Sequence, residues 1–110
     1  MHLMPPNNTA KPALDSLLPL KRHIEQSGIT LNALCVLTVI EKGEIGPSDL
    51  SRALGVTTAA VTGLVDSLVA KGHVGYRAVP GDRRKKMLHL TQDGSRVVTA
   101  AAHFYATQAA

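Results

Sequence analysis

The sequence predicts a mainly α-helical domain with one small β-hairpin, arranged as a winged helix-turn-helix. Three observations carry that expectation. Apolar residues recur at three- and four-residue spacing through most of the 110 residues. That period gives way to strict alternation only between His73 and Leu90. Two of the helical segments are joined by a tight turn centred on Gly55, and a basic hairpin follows the second of them.

Taken in order, residues 1–12 (MHLMPPNNTAKP) are rich in Pro and Asn without an apolar period, and are expected to form a flexible arm. A single domain then occupies 13–110, a length that suits one core. Ala13–Ser27 carries Leu14, Leu17, Leu18, Leu20 and Ile24 at helical spacing, ended by Gly28. Pro19 has no backbone N–H, so this helix either kinks there or begins near it. Thr30 caps a second helix, Leu31–Lys42, whose stripe of Leu31, Leu34, Leu37 and Ile40 is widened by Ala33, Cys35 and Val36. So broad a face predicts a central helix with Cys35 as a buried, inert thiol.

Pro47 suits the first turn of a short third helix, with Leu50, Ala53 and Leu54 inward and Gly55 closing it. Thr57 caps a fourth helix, Thr58–Lys71, with Val61, Leu64, Val65 and Leu68 inward. His73–Val79 is expected to be a strand with Val74, Tyr76 and Ala78 on one face, and Lys86–Leu90 its partner with Leu88 and Leu90 on one face. Pro80-Gly81-Asp82 between them is turn chemistry. Thr91 caps a last helix with Val97, Val98, Ala101, Ala102 and Tyr105 on one side.

Composition excludes several function classes. One cysteine leaves no intrachain disulfide and no multi-cysteine zinc site. His2, His23, His73, His89 and His103 lack metal-ligand spacing, so no metal and no cofactor is expected. No nucleophile–base pattern or phosphate-cradling glycine loop is present, which argues against an enzyme. No apolar run reaches the ~18 residues of a membrane span, and the N-terminus lacks the order of a secretory signal. A cytoplasmic protein is expected.

The net charge of +4 is unevenly placed. From Lys71 to Arg96, seven basic residues oppose Asp82 and Asp93, a local charge of +5. A basic stretch of this kind is the footprint of a phosphate-binding surface, or else a solvated face. The fourth helix turns Ala59, Thr62, Gly63, Asp66, Ser67 and Ala70 outward. Such small side chains approach base edges closely, hydroxyls bonding bases or phosphates and methyls meeting thymine methyls.

Asp49–Val74 (DLSRALGVTTAAVTGLVDSLVAKGHV), Pro80–Thr91 (PGDRRKKMLHLT) and Gly94 resemble the MarR family of bacterial transcription regulators. The most specific part is Asp82 with Arg84 at the wing tip, followed by LTxxG at Leu90–Gly94. The resemblance implies a homodimer on duplex DNA, with the helix from Thr58 in the major groove and the wing in the minor groove. It also favours Arg84 paired with Asp82 to fix the tip. The family usually has basic residues where this chain has Gly63 and Ser67, so recognition here should lean on shape and not on Arg–guanine pairs.

The DNA-contacting set expected from both lines of argument is Thr57, Thr58, Ala59, Thr62, Gly63, Ser67, Arg77, Asp82, Arg83, Arg84, Lys85 and Lys86. Family members usually carry further helices after the wing, whereas only Gly94–Ala110 follows it here. The dimer platform should therefore be small, built from Leu14, Leu17, Leu18, Leu20, Ile24, Val98, Ala101, Phe104 and Tyr105, and no small-molecule effector is expected. The expected activity is that of a sequence-specific regulator, a repressor. The competing expectation is a protein-docking winged helix, an antirepressor or adaptor, which would have no need of the basic wing.

Overall fold

Among the described residues, five helices and one antiparallel hairpin follow each other as the periodicity predicts. They are α1 (Leu17–Gln26), α2 (Leu31–Glu41), α3 (Pro47–Leu54), α4 (Thr58–Ala70), β1 (Val74–Val79), β2 (Asp82–Leu90) and α5 (Gln92–Ala109). This computed structural model describes residues 14–15 and 17–109, and the side chains of all of these except 83, 84, 108 and 109. The expected arm at 1–12 lies outside the described residues.

Local chemistry sets most of the boundaries. The Thr30 hydroxyl accepts from the Ala33 amide at 3.1 Å, and the Thr57 hydroxyl accepts from the Ala60 amide at 3.1 Å. Each satisfies an amide that the first turn leaves without a partner. Pro19 lies within the helical stretch that takes in residues 14–15 and Leu17–Gln26, and withholds one backbone donor from it. Gly55 ends α3 in the left-handed conformation, φ 69°, which lets the chain reverse at once into α4.

The core sits around α2, which touches every other helix and β2. Val36 and Leu37 are fully buried, as are Ile24 of α1, Leu50 of α3, Val61, Val65 and Leu68 of α4, and Leu88 of β2. Full burial of one such side chain is worth roughly 1.5–3 kcal/mol.

Two residues of the expected α2 stripe are not in this core. Leu31 is 51% exposed and Cys35 is an exposed free thiol. At 100° per residue both lie opposite the arc of Ala33, Val36, Leu37 and Ile40. A helix apolar on nearly all sides gives no internal sign of which arc is covered. In α3, Ala53 is exposed and Ser51 is buried instead, its hydroxyl donating to the Val56 carbonyl at 2.5 Å. That bond closes the turn into α4. Ala102 of α5 is likewise exposed.

The hairpin departs further from expectation. β1 begins at Val74, not His73, and β2 begins at Asp82, not Lys86. Val74 and Leu88 are buried, but Tyr76 and Ala78 are exposed because the hairpin runs out beyond the helices. The register holds from Val74↔Leu90 to Ala78↔Lys86 and then jumps to Val79↔Asp82. The ladder is therefore irregular between these two pairs, and residues 83–85 bulge there. Ile45, in the α2–α3 loop, pairs with Leu88 on the other edge of β2, with N···O distances of 2.8 and 3.3 Å. This bridge anchors the root of the hairpin to the helical core.

Candidate nucleic-acid interface

The axes of α3 and α4 are bent by 111° across the three residues Gly55–Thr57. This is the crossing of a helix-turn-helix, in which the second helix projects one face away from the domain. The face that α4 projects is the expected one: Thr58, Ala59, Thr62, Gly63, Asp66, Ser67 and Ala70 are all exposed. Thr57, at its N-cap, is exposed as well.

The thirteen residues of α4, TAAVTGLVDSLVA, include no Lys, Arg, His, Asn or Gln. Its polar groups are therefore hydroxyls and the Asp66 carboxylate. One of those hydroxyls is already committed: Thr62 Oγ1 donates to the Thr58 carbonyl at 2.9 Å. Toward anything outside, that oxygen is an acceptor. Gly63 adds no side chain, and a Cβ built there would meet nothing beyond its own helix backbone within 4 Å. Glycine is not required at this position by packing within the domain.

The basic stretch separates into engaged and unengaged charges. Arg77 Nη1 donates to Glu44 Oε2 at 3.0 Å, and Arg96 Nη1 donates to Asp93 Oδ1 at 2.9 Å. Lys71 Nζ donates to the Gly28 carbonyl. What remains for a partner is concentrated on the wing. Lys85 and Lys86 are exposed, and neither is in an ion pair among the described residues. The Lys86 ammonium lies 5.7 Å from the centroid of the Tyr76 ring, within cation–π range. Arg83 and Arg84 lie on the bulged backbone of β2, and their side chains, with the expected pairing of Arg84 to Asp82, lie outside the described residues.

The α3 start, Tyr76 and the wing lysines border an open cleft of about 680 Å³, with Pro47, Asp49 and Met87 in its walls. Sequence reasoning missed two contributors here. Tyr76 shares a face of β1 with the buried Val74 in the alternating pattern, and Glu44 has no role in it. An alternating strand pattern marks one face but does not show where the strand leaves the core. Glu44 reaches Arg77 only because Ile45 joins β2, a pairing between residues 43 positions apart in the chain.

The expected dimer surface divides in two. Ile24, Val98 and Ala101 are buried within the domain and offer nothing to a partner chain. Leu14, Leu17, Leu18 and Tyr105 are exposed, and Leu20 packs partly against the core. Phe104 stacks on His23, with ring centroids 4.4 Å apart and planes 9° from parallel, so it ties α5 to α1. The two adjacent aromatics thus point to different surroundings, one inward to α1 and one to solvent.

No single helix among the described residues is long and apolar enough to cross a membrane.

Comparison with known proteins gives a consistent picture. The sequence model of the MarR family matches residues 27–85. The transcriptional repressor NicR of Pseudomonas putida is 32% identical over 74 residues, which is 67% of this chain and 46% of NicR. The multiple antibiotic resistance protein MarR of Salmonella typhimurium is 32% identical over 79 residues, 71% of this chain and 55% of that protein. The chain spans about half the length of the curated relatives it matches. Among solved structures, a mutant MarR from E. coli complexed with operator DNA superposes with a TM-score of 0.76 at 25% identity, covering 91% of this chain and 72% of that one.

Proposed function

The chain belongs to the MarR family, and from that membership we propose that it is a sequence-specific regulator of transcription that binds duplex DNA and acts as a repressor. The observation that supports this best is the outer face of α4, exposed along its length across a 111° bend from α3 and followed directly by a wing with unpaired lysines. In this reading α4 enters the major groove, with Thr57 and Thr58 near a phosphate and Ala59, Thr62, Gly63 and Ser67 against base edges. The bulged segment at 83–85 reaches the flanking minor groove, and Lys85 and Lys86 neutralise phosphates. Arg77, held by Glu44, contributes less.

Two half-sites one DNA turn apart need two such helices ~34 Å apart, more than one chain supplies. The active species is therefore a homodimer joined through α1 and α5, on surfaces that include Leu17, Leu18 and Tyr105. It acts in the cytoplasm, by occupying DNA and not by catalysis.

The test is anisotropy titration of a selected and a random duplex at about 50 and 200 mM salt. The reading expects tighter binding to the selected duplex and a steep loss of affinity with salt. Salt-independent or absent binding would overturn it and leave α4 as a docking face for another protein.

A further inference from the structure

The bases that this helix recognises are constrained by what α4 lacks. Resting on the DNA-binding reading above, we infer that α4 recognises its half-site chiefly through thymine C5-methyl groups, with the side-chain-free surface at Gly63 receiving one of them. In the major groove guanine shows only acceptors, N7 and O6, and is normally held by Arg or Lys. No residue of α4 carries such a donor. The Thr62 hydroxyl proton is held by the Thr58 carbonyl, which leaves its lone pairs to accept from adenine N6 or cytosine N4. Asp66, the only charged group on the helix, is also an acceptor.

The Thr58 and Ser67 hydroxyls donate or accept and favour neither pair, but the Thr62 and Asp66 acceptors and the alanine methyls, with no Arg or Lys beside them, complement an A·T pair better than a G·C pair. Adenine supplies the N6 donor, and thymine supplies the one apolar group in the groove. The position for that group is at Gly63. A Cβ there would meet nothing beyond its own helix backbone within 4 Å, and the neighbours one turn away on the helix surface are Ala59, Ala60, Asp66 and Ser67, all exposed, with small side chains at every one but Asp66. A thymine methyl placed there contacts backbone and the Ala59 methyl. Any larger residue at 63 would fill the space the methyl needs.

The experiment uses the full chain. A half-site is selected from a random duplex library, and each enriched thymine is then replaced by uracil, which keeps pairing and removes only the methyl. The inference expects A·T pairs at the centre of the half-site and about a fourfold loss of affinity for each buried methyl removed. Random duplex should bind equally well with either base. Gly63→Ala should lower affinity for the thymine duplex and shrink the thymine–uracil difference at one position, a coupling that a purely structural role would not produce. An enriched half-site bound equally with uracil, or one centred on G·C pairs, overturns the thymine reading while DNA binding stands. Enrichment of no sequence overturns both.

Discussion

Two glycines inside helices, Gly63 and Gly94, should respond to the same substitution with opposite signs. Gly63 lies mid-way along α4 with open space where its Cβ would be. Alanine there meets no clash, loses less backbone entropy on folding, and should stabilise the domain by about 0.5–1 kcal/mol. Gly94 is the third residue of α5 and is buried. Its Cβ would fall 2.0 Å from the His73 carbonyl oxygen and 3.0 Å from the carbonyl carbon. The obstacle is backbone, and it is tied down. The His73 carbonyl accepts from the Thr91 amide at 3.1 Å, while the Thr91 hydroxyl donates to the Gly72 carbonyl at 2.5 Å and accepts from the Gly94 amide at 3.0 Å. Relief therefore requires α5 to move off the α4–β1 loop as a unit. Overpacking of this kind costs about 3 kcal/mol, of which better helix propensity returns at most ~1. A net loss of about 2 kcal/mol corresponds to a fall of roughly 8–16 °C in melting temperature for a domain of this size. Thermal unfolding followed by circular dichroism, with urea titration of both variants, measures the pair. A Gly94→Ala protein as stable as the wild type would refute the packing argument, and a destabilised Gly63→Ala would show that α4 is covered within the free chain.

Four further outcomes are expected. Ser51→Ala removes a buried hydroxyl and leaves the Val56 carbonyl, in an exposed turn, without its protein donor, and should cost about 1 kcal/mol in urea unfolding. Thr57→Ala removes the α4 cap and should cost ~1 kcal/mol; an unchanged midpoint would mean that solvent replaces the cap in full. On random duplex, Lys85→Ala and Lys86→Ala should each lower the salt slope by about one unit, and Arg77→Ala by less, since Glu44 already engages that guanidinium. Equal slopes for all three would remove the distinction between paired and unpaired charge. Leu17→Asp with Leu18→Asp, both at exposed positions, should give a folded monomer in sedimentation, whereas persistence of a dimer would place the interface elsewhere.

The features legible in the sequence are those decided within about four residues. Thr30, Thr57 and Thr91 start helices as expected, each hydroxyl accepting from the amide three positions on. Gly55 forms its turn because it takes the left-handed conformation that ends α3. The inward set of α4 follows from one period of a helix whose apolar residues cluster on one side, so Val61, Val65 and Leu68 are buried as expected. The outward face of α4, and with it the proposed interface, follows from that same period.

What the chain's order of residues did not reveal lies where distant segments meet. α2 is apolar almost all round, and its covered arc depends on where α1, α4 and α5 dock, so Leu31 and Cys35 were assigned to the wrong side. The Arg77–Glu44 pair and the Ile45–Leu88 bridge join the α2–α3 loop to the wing across more than thirty residues of chain. Ile24, Val98 and Ala101 look like an interface on their own helices but are used up by packing inside the domain. Gly63 and Gly94 are indistinguishable as letters. Periodicity and capping are short-range and leave their mark in neighbouring residues. Burial and close approach are settled when elements far apart in the chain come together, and only then does one glycine face open space and the other a carbonyl.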